Sequence, residues 1–145
     1  MTPIAKPLRD ESGAALIEFA LLLPIILGTF LGVMQVGLSM QAYNALRGIS
    51  ADASRVAVVE YQKENQLTVE QIETITERVA ADMPYGLVAE RFDTRVTRPA
   101  TQRVADAIEY HIEVTYTVPT LLPFLGVDHI PMSYTRPIFV LDPTL

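Results

Sequence analysis

An α+β fold is predicted: a long N-terminal transmembrane helix that runs into a small domain made of a second helix and a three-stranded antiparallel sheet. Three observations predict it. Residues 19–46 form a run of 28 without a charge. Apolar residues then recur at helical spacing as far as Val79. Beyond Gly86 the period changes to two. The chain has 145 residues, which supports one small folded domain with appendages.

Taken in order, residues 1–13, MTPIAKPLRDESG, are polar, contain two prolines and read as a disordered leader. Residues 14–40 supply 27 positions for a membrane span. A bilayer core requires about 20 in a helix, at ~1.5 Å each. The competing reading is a secretory signal peptide, whose apolar region runs about 7–15 residues to a small-x-small cleavage site. This segment is longer, and Met40-Gln41-Ala42 is a poor site of that kind. The helix is expected to continue past the membrane, because Leu46, Ile49, Ala53 and Val56 form a one-sided stripe. Ala45, Gly48, Ala51, Ser54 and Ala57 are small and permit close approach of another backbone. This helix is expected to end near residues 63–65.

A second helix follows, opened by the capping-box pattern Thr68-x-x-Gln71. Val69, Ile72, Ile75 and Val79 form its apolar face, and Pro84 and Gly86 lie past its end. Residues 88–98 are a strand candidate. The clearest strand is 108–118, where Ile108, Tyr110, Ile112, Val114, Tyr116 and Val118 alternate with polar residues. A further alternating run, Ile130 to Val140, is interrupted by Pro131 and Pro137. Proline cannot donate to a ladder, so this run is expected at a sheet edge. The connection between the last two strands, residues 119–126 (PTLLPFLG), is apolar for a loop.

Composition excludes several functions. The net charge is −6, and residues 41–145 hold nine of the 11 basic and 14 of the 17 acidic residues, a balance of 9 − 14 = −5. An acidic domain with no basic stripe is a poor ligand for nucleic acid. The absence of cysteine removes disulfides and thiolate chemistry. Glu109, His111 and Glu113 share one face of a strand and could touch a divalent metal, but this pattern is more often the solvated face of an amphipathic strand. No Ser-His-Asp order, phosphate loop or metalloprotease motif is present. No catalytic residue, cofactor, metal or small-molecule substrate is therefore assigned.

The most specific single residue is Glu18, near the start of the span. A lone carboxylate at a bilayer centre costs roughly 2.5–3.5 kcal/mol, and less near the interface. One reading keeps Glu18 among the headgroups. The other follows from Gly13. A cut after Gly13 would give Ala14 a new α-amino group, with Glu18 four residues on along the same helix face. That amine titrates near ~7.7–8 and would pair with the carboxylate at neutral pH. Further along, Gly28 and Gly32 form a small-xxx-small pair, with Pro24 one turn earlier on the same face. In lipid such a face admits a neighbouring helix, although glycine is also simply common in membrane helices. Pro24 removes one backbone hydrogen bond and is expected to bend the helix. Gln35 is a further polar group, able to bond a neighbouring helix.

Gly13 followed by AALIEF and an apolar helix resembles the class III signal of type IV prepilins and pseudopilins. The longer stretch, residues 12–24 (SGAALIEFALLLP), resembles the start of TadE-like proteins of the tight-adherence pilus system. Asn44 and Ala45, followed by Ala51, Ala53, Arg55 and Ala57, match that family's small-residue stretch. The resemblance is close over residues 12–57 and loose over 58–145. It implies a pilin-like, non-enzymatic accessory subunit of Flp-type pilus biogenesis at the bacterial inner membrane. A prepilin peptidase would cut between Gly13 and Ala14, and the partners would be other pilus-assembly proteins or pilins. The implied organisation is a cytoplasmic leader (1–13), a transmembrane helix (14–40) and a periplasmic α+β domain (41–145). Charge alone leaves the orientation open, because Lys6 and Arg9 precede the span and Arg47 and Arg55 follow it. The rival expectation is an uncleaved, membrane-tethered adaptor or binding module.

Overall fold

A computed structural model describes residues 11–63 and 65–141. Helix α1, Glu11–Gln62, runs for 52 residues with Pro24 inside it, a length of about 78 Å at ~1.5 Å per residue. Glu11 to Gly13, the last residues of the expected leader, are helical rather than disordered. Residues 1–10 of that leader lie outside the described residues. The helix passes through Pro24 unbroken. One turn on, the Thr29 hydroxyl donates to the Ile25 carbonyl at 2.8 Å, so this polar side chain is satisfied within the helix itself.

The two ends of α1 differ in what surrounds them. From Ala14 to Met34 the side chains are mostly exposed, and from Gln35 onward one side is buried. The buried stripe is Ala42, Leu46, Ile49, Ala53 and Ala57. Val56, which spacing assigned to it, is 39% exposed. The +4 step from Ala53 to Ala57 stays on the contact face, whereas the +3 step to Val56 turns off it. Small residues do permit close approach here. Ser50 and Ser54 are buried, and the Ser54 hydroxyl donates to the Ser50 carbonyl at 2.5 Å while Ser50 donates to Arg47 at 3.0 Å. Gly48 lies under the ring of Tyr85, where an added Cβ would come within 2.3 Å of the phenol oxygen. Tyr85 in turn donates to the Asp52 carboxylate at 2.9 Å.

Helix α2, Val69–Ala81, is capped as its sequence predicts. The Thr68 hydroxyl accepts from the Gln71 N–H at 3.3 Å, and the Gln71 side chain accepts from the Thr68 N–H at 2.8 Å. Its buried column is Ile72, Thr76 and Ala80. Val69, Ile75 and Val79 flank that column half-buried. The Thr76 hydroxyl is buried without cost to hydrogen bonding because it donates to the Ile72 carbonyl at 2.8 Å.

The sheet has the order β1-β2-β3, with β1 at Phe92–Thr97, β2 at Ala107–Pro119 and β3 at His129–Leu141, all antiparallel. The first strand is shorter than the 88–98 candidate because Ala89–Arg91 forms a 3₁₀ turn. Both prolines of β3 fall on an edge strand, opposite Thr117 and His111. Pro131 and Pro137 have the same parity, so both missing donors lie on one side of a strand that has a partner on only one side. The even-numbered residues of β2, Ile108 to Val118, are all buried against the helices. Helix α1 packs on β2 and β3, and α2 packs on β1 and α1. The free edge of β1 is partly covered, since Glu73 of α2 accepts from the Val96 N–H at 2.7 Å. The end of α1 is tied to the far end of the sheet by Tyr61, whose hydroxyl lies 2.9 Å from that of Tyr110.

The core assignment is testable with one pair of substitutions in the full chain, measured by chemical denaturation in detergent micelles. Ile49→Ala removes a fully buried side chain and is expected to cost about 2–5 kcal/mol. Val56→Ala is expected to change stability by no more than about 0.5 kcal/mol. Equal losses at the two positions would mean that α1 is rotated from the orientation described.

Candidate functional site on the apolar helix

The residues singled out in the sequence fall into three groups, two on α1 and one on β2. Gly13 and Ala14 are both helical, within α1, with Gly13 half-buried and Ala14 exposed. Glu18 lies one turn further on, also exposed. The α-amino group that a cut would create is four residues from Glu18, the spacing of neighbours on one helix face.

The second group is the small-residue face. No heavy atom lies within 4 Å of a Cβ built on Gly28 or Gly32. The face is open, with room for another helix at backbone distance. At 3.6 residues per turn, Pro24 and Gly28 stand on the same side of α1 as Ala42, Leu46 and Ile49. The open face is thus the continuation of the face that packs on the sheet.

Gln35 is where the two meet, and here the sequence reading is corrected. Gln35 is only 4% exposed, and its partner is the chain's own loop rather than a neighbouring helix. Its amide nitrogen donates to the Pro119 carbonyl at 3.2 Å, and its amide oxygen accepts from the Leu121 N–H at 2.7 Å. Both ends of the side chain are used, so the end of β2 is clamped to α1 at this level. The partners of Gln35 could not be read from spacing, since they lie 84 and 86 residues away. The one signal was the apolar character of residues 119–126. Two grooves of about 480 and 440 Å³ flank α1 near this clamp, the first beside Tyr85 and Val118 and the second beside Ile130 and Met132.

The third group is the polar face of β2. Glu113 is exposed as expected, but Glu109 is only 1% exposed. A bidentate contact from Arg103, a 2.6 Å contact with His111 Nε2 and the overlying loop enclose it. Its backbone N–H donates to the Gln102 side chain, and the Arg103 guanidinium also stacks 5.5 Å from the Phe139 ring centre. Arg103, followed by the contact with His111, holds the Glu109 carboxyl at about 2 against desolvation. The carboxylate is thus committed to protein partners. Among the described residues no group of His, Asp and Glu is arranged to hold a metal.

Among the described residues one helix is long and apolar enough to cross a membrane, and it fits a single-pass membrane protein. Residues 13–55 match the family model described as TadE-like protein. The match covers the same stretch as the resemblance read from residues 12–57 and points to Tad/Flp pilus-related systems. No curated protein and no solved structure matches the chain.

Two outcomes follow from this geometry. Gln35→Ala leaves the Leu121 N–H without its acceptor, at a cost of about 1–3 kcal/mol, so hydrogen exchange at that amide should rise by tenfold or more while Ile49 stays protected. Unchanged exchange at Leu121 would remove the clamp. For Glu109, the folded-state value is depressed, so its contribution is fully present above the unfolded carboxylate range near ~4.3 and is lost as pH falls towards about 2. Glu109→Gln should therefore be less stable than the parent chain at neutral pH, with the gap closing between those two values. A gap independent of pH would refute the ion-pair account.

Proposed function

We propose that the chain is a structural, pseudopilin-like subunit of type IVc (Flp/Tad) pilus biogenesis, held in the bacterial inner membrane by α1. Its N-terminus would face the cytoplasm and its α+β domain the periplasm. The observation that carries this reading is the TadE-like match over residues 13–55, which begins at the predicted cleavage glycine and ends within the part of α1 that packs on the sheet. TadE-like, pilus-associated proteins are typically structural rather than enzymatic.

The mechanism starts with a prepilin peptidase removing residues 1–13. The new α-amino group of Ala14 is then paired by Glu18, on this chain or on a neighbour, which offsets the cost of carrying both charges into the bilayer. Lateral association with pilins or other assembly proteins uses the open face at Pro24, Gly28 and Gly32. Because α1 is one continuous helix, displacement of the span carries the domain with it. The rival reading, an uncleaved membrane-tethered adaptor, draws on the helical state of the Gly13 and Ala14 junction, which a peptidase would have to unwind.

The N-terminal mass of the membrane-extracted protein separates the two. Processing predicts a chain beginning at Ala14, and Gly13→Leu should leave residues 1–13 attached. Glu18→Gln, which keeps size and removes charge, should give protein that is present and cut but does not support piliation. Normal piliation with Glu18→Gln would exclude the charge pair. An intact leader on the parent chain would favour the adaptor.

A further inference from the structure

The β2–β3 connection is the tip of the hairpin nearest the exposed part of α1, and it is built unlike an ordinary surface turn. Residues 120–127, TLLPFLGV, carry no charge. Phe124 and Leu125 are each 64% exposed, and Val127 is exposed beside them. Part of the backbone beneath them is satisfied. The Leu121 N–H donates to Gln35 at 2.7 Å, and the Leu122 N–H to the Thr120 hydroxyl at 3.0 Å. Leu125 donates to the Leu122 carbonyl at 3.1 Å and Gly126 to that of Pro123 at 3.0 Å. Pro123 has no N–H to satisfy. Gly126 closes the turn at φ 76°, a left-handed conformation that other side chains rarely adopt. The loop therefore presents apolar side chains outward while four of its backbone N–H groups bond within the chain, which lowers the cost of placing it at a lipid boundary.

The level of the loop points to the same surroundings. Gln35 joins it to α1, and Ala14 to Gln35 is 22 residues, about 33 Å at ~1.5 Å per residue. A bilayer hydrocarbon core is about 30 Å thick. The loop is thus clamped to the helix at the point where a span beginning at Ala14 would leave the hydrocarbon.

We propose that this loop is a second membrane contact, with Phe124 and Leu125 seated in the headgroup–acyl boundary of the leaflet from which α1 emerges. The inference rests on α1 spanning the bilayer. Two contacts joined by the Gln35 clamp would fix both the depth of the helix and its rotation about its own axis, which a helix alone leaves free. The nearest charged residue in sequence is the acidic Asp128, and no basic residue lies in the loop, so the contact is apolar and requires no anionic lipid.

The chain contains no tryptophan, so single tryptophans report cleanly. Three full-length variants, Phe124→Trp, Phe30→Trp and Val104→Trp, would be reconstituted in phosphatidylcholine vesicles with and without lipids brominated along the acyl chain. Phe30→Trp reads the span itself and Val104→Trp the far end of the domain. The expected result is strong quenching for Phe30→Trp, strong quenching by the shallowest bromines for Phe124→Trp, at a depth of ~5–10 Å below the headgroups, and none for Val104→Trp. Quenching of Phe30→Trp without quenching of Phe124→Trp overturns the loop contact and leaves the membrane reading intact. A blue-shifted but unquenched Phe124→Trp also overturns it and shows that protein, such as a second copy, covers the tip. Absence of quenching in Phe30→Trp overturns both.

Discussion

The contact between one face of α1 and the even-numbered face of β2 is what the rest of the structure hangs from. On the helix side it is made of Ala42, Leu46, Ile49, Ala53 and Ala57, and on the strand side of residues from Ile108 to Val118. Alanine at three of the five helix positions leaves room for Leu46, Ile49 and the strand's Tyr110, Ile112 and Tyr116, whose side chains fill the interface. Because α1 is uninterrupted from Glu11 to Gln62, this interface sets the direction of the whole apolar rod. It also decides which side of that rod presents Pro24 and Gly28.

A helix shared between lipid and protein has to change character along its length without breaking. In lipid every backbone group must be satisfied within the segment, which a helix does by itself. In the domain the same helix needs only one apolar face. The change occurs at Gln35, where the first buried polar side chain of α1 takes both its hydrogen bonds from the loop at the end of β2. A buried amide that found no partners would be expensive, and this one has two. The clamp therefore ties the apolar loop 120–127 to the helix at a fixed height.

The opposite end of the domain is organised by charge. Glu109 is enclosed between Arg103 and His111 on a sheet face that is otherwise polar and open. Arg103 reaches it from the loop before β2 and also covers Phe139 on β3. The ion pair thus pins a connection across two strands, far from the tip of the β2–β3 hairpin. The two ends of the domain thus differ: apolar side chains gather at the end near the exposed part of α1, and a charged cluster at the other.

Much of this was readable in the sequence because the governing interactions are local. The uncharged run at 19–46, the Thr68 and Gln71 capping box, the alternation of 108–118 and the edge position implied by Pro131 and Pro137 each depend on residues close together in the chain. The similarity to TadE-like proteins over residues 13–55 is likewise a property of one continuous segment. What only the tertiary structure decided are the contacts across long sequence separations. Spacing placed Val56 on the core stripe, and the sheet chose Ala57, because the orientation of α1 is set by what it packs against. Alternation put Glu109 in solvent, and a loop arginine enclosed it. Gln35 looked like a group awaiting another helix, and its partners were Pro119 and Leu121 of its own chain. A periodic pattern reports which residues share a face of one element, but the identity of the opposing surface is settled only when elements distant in sequence fold together.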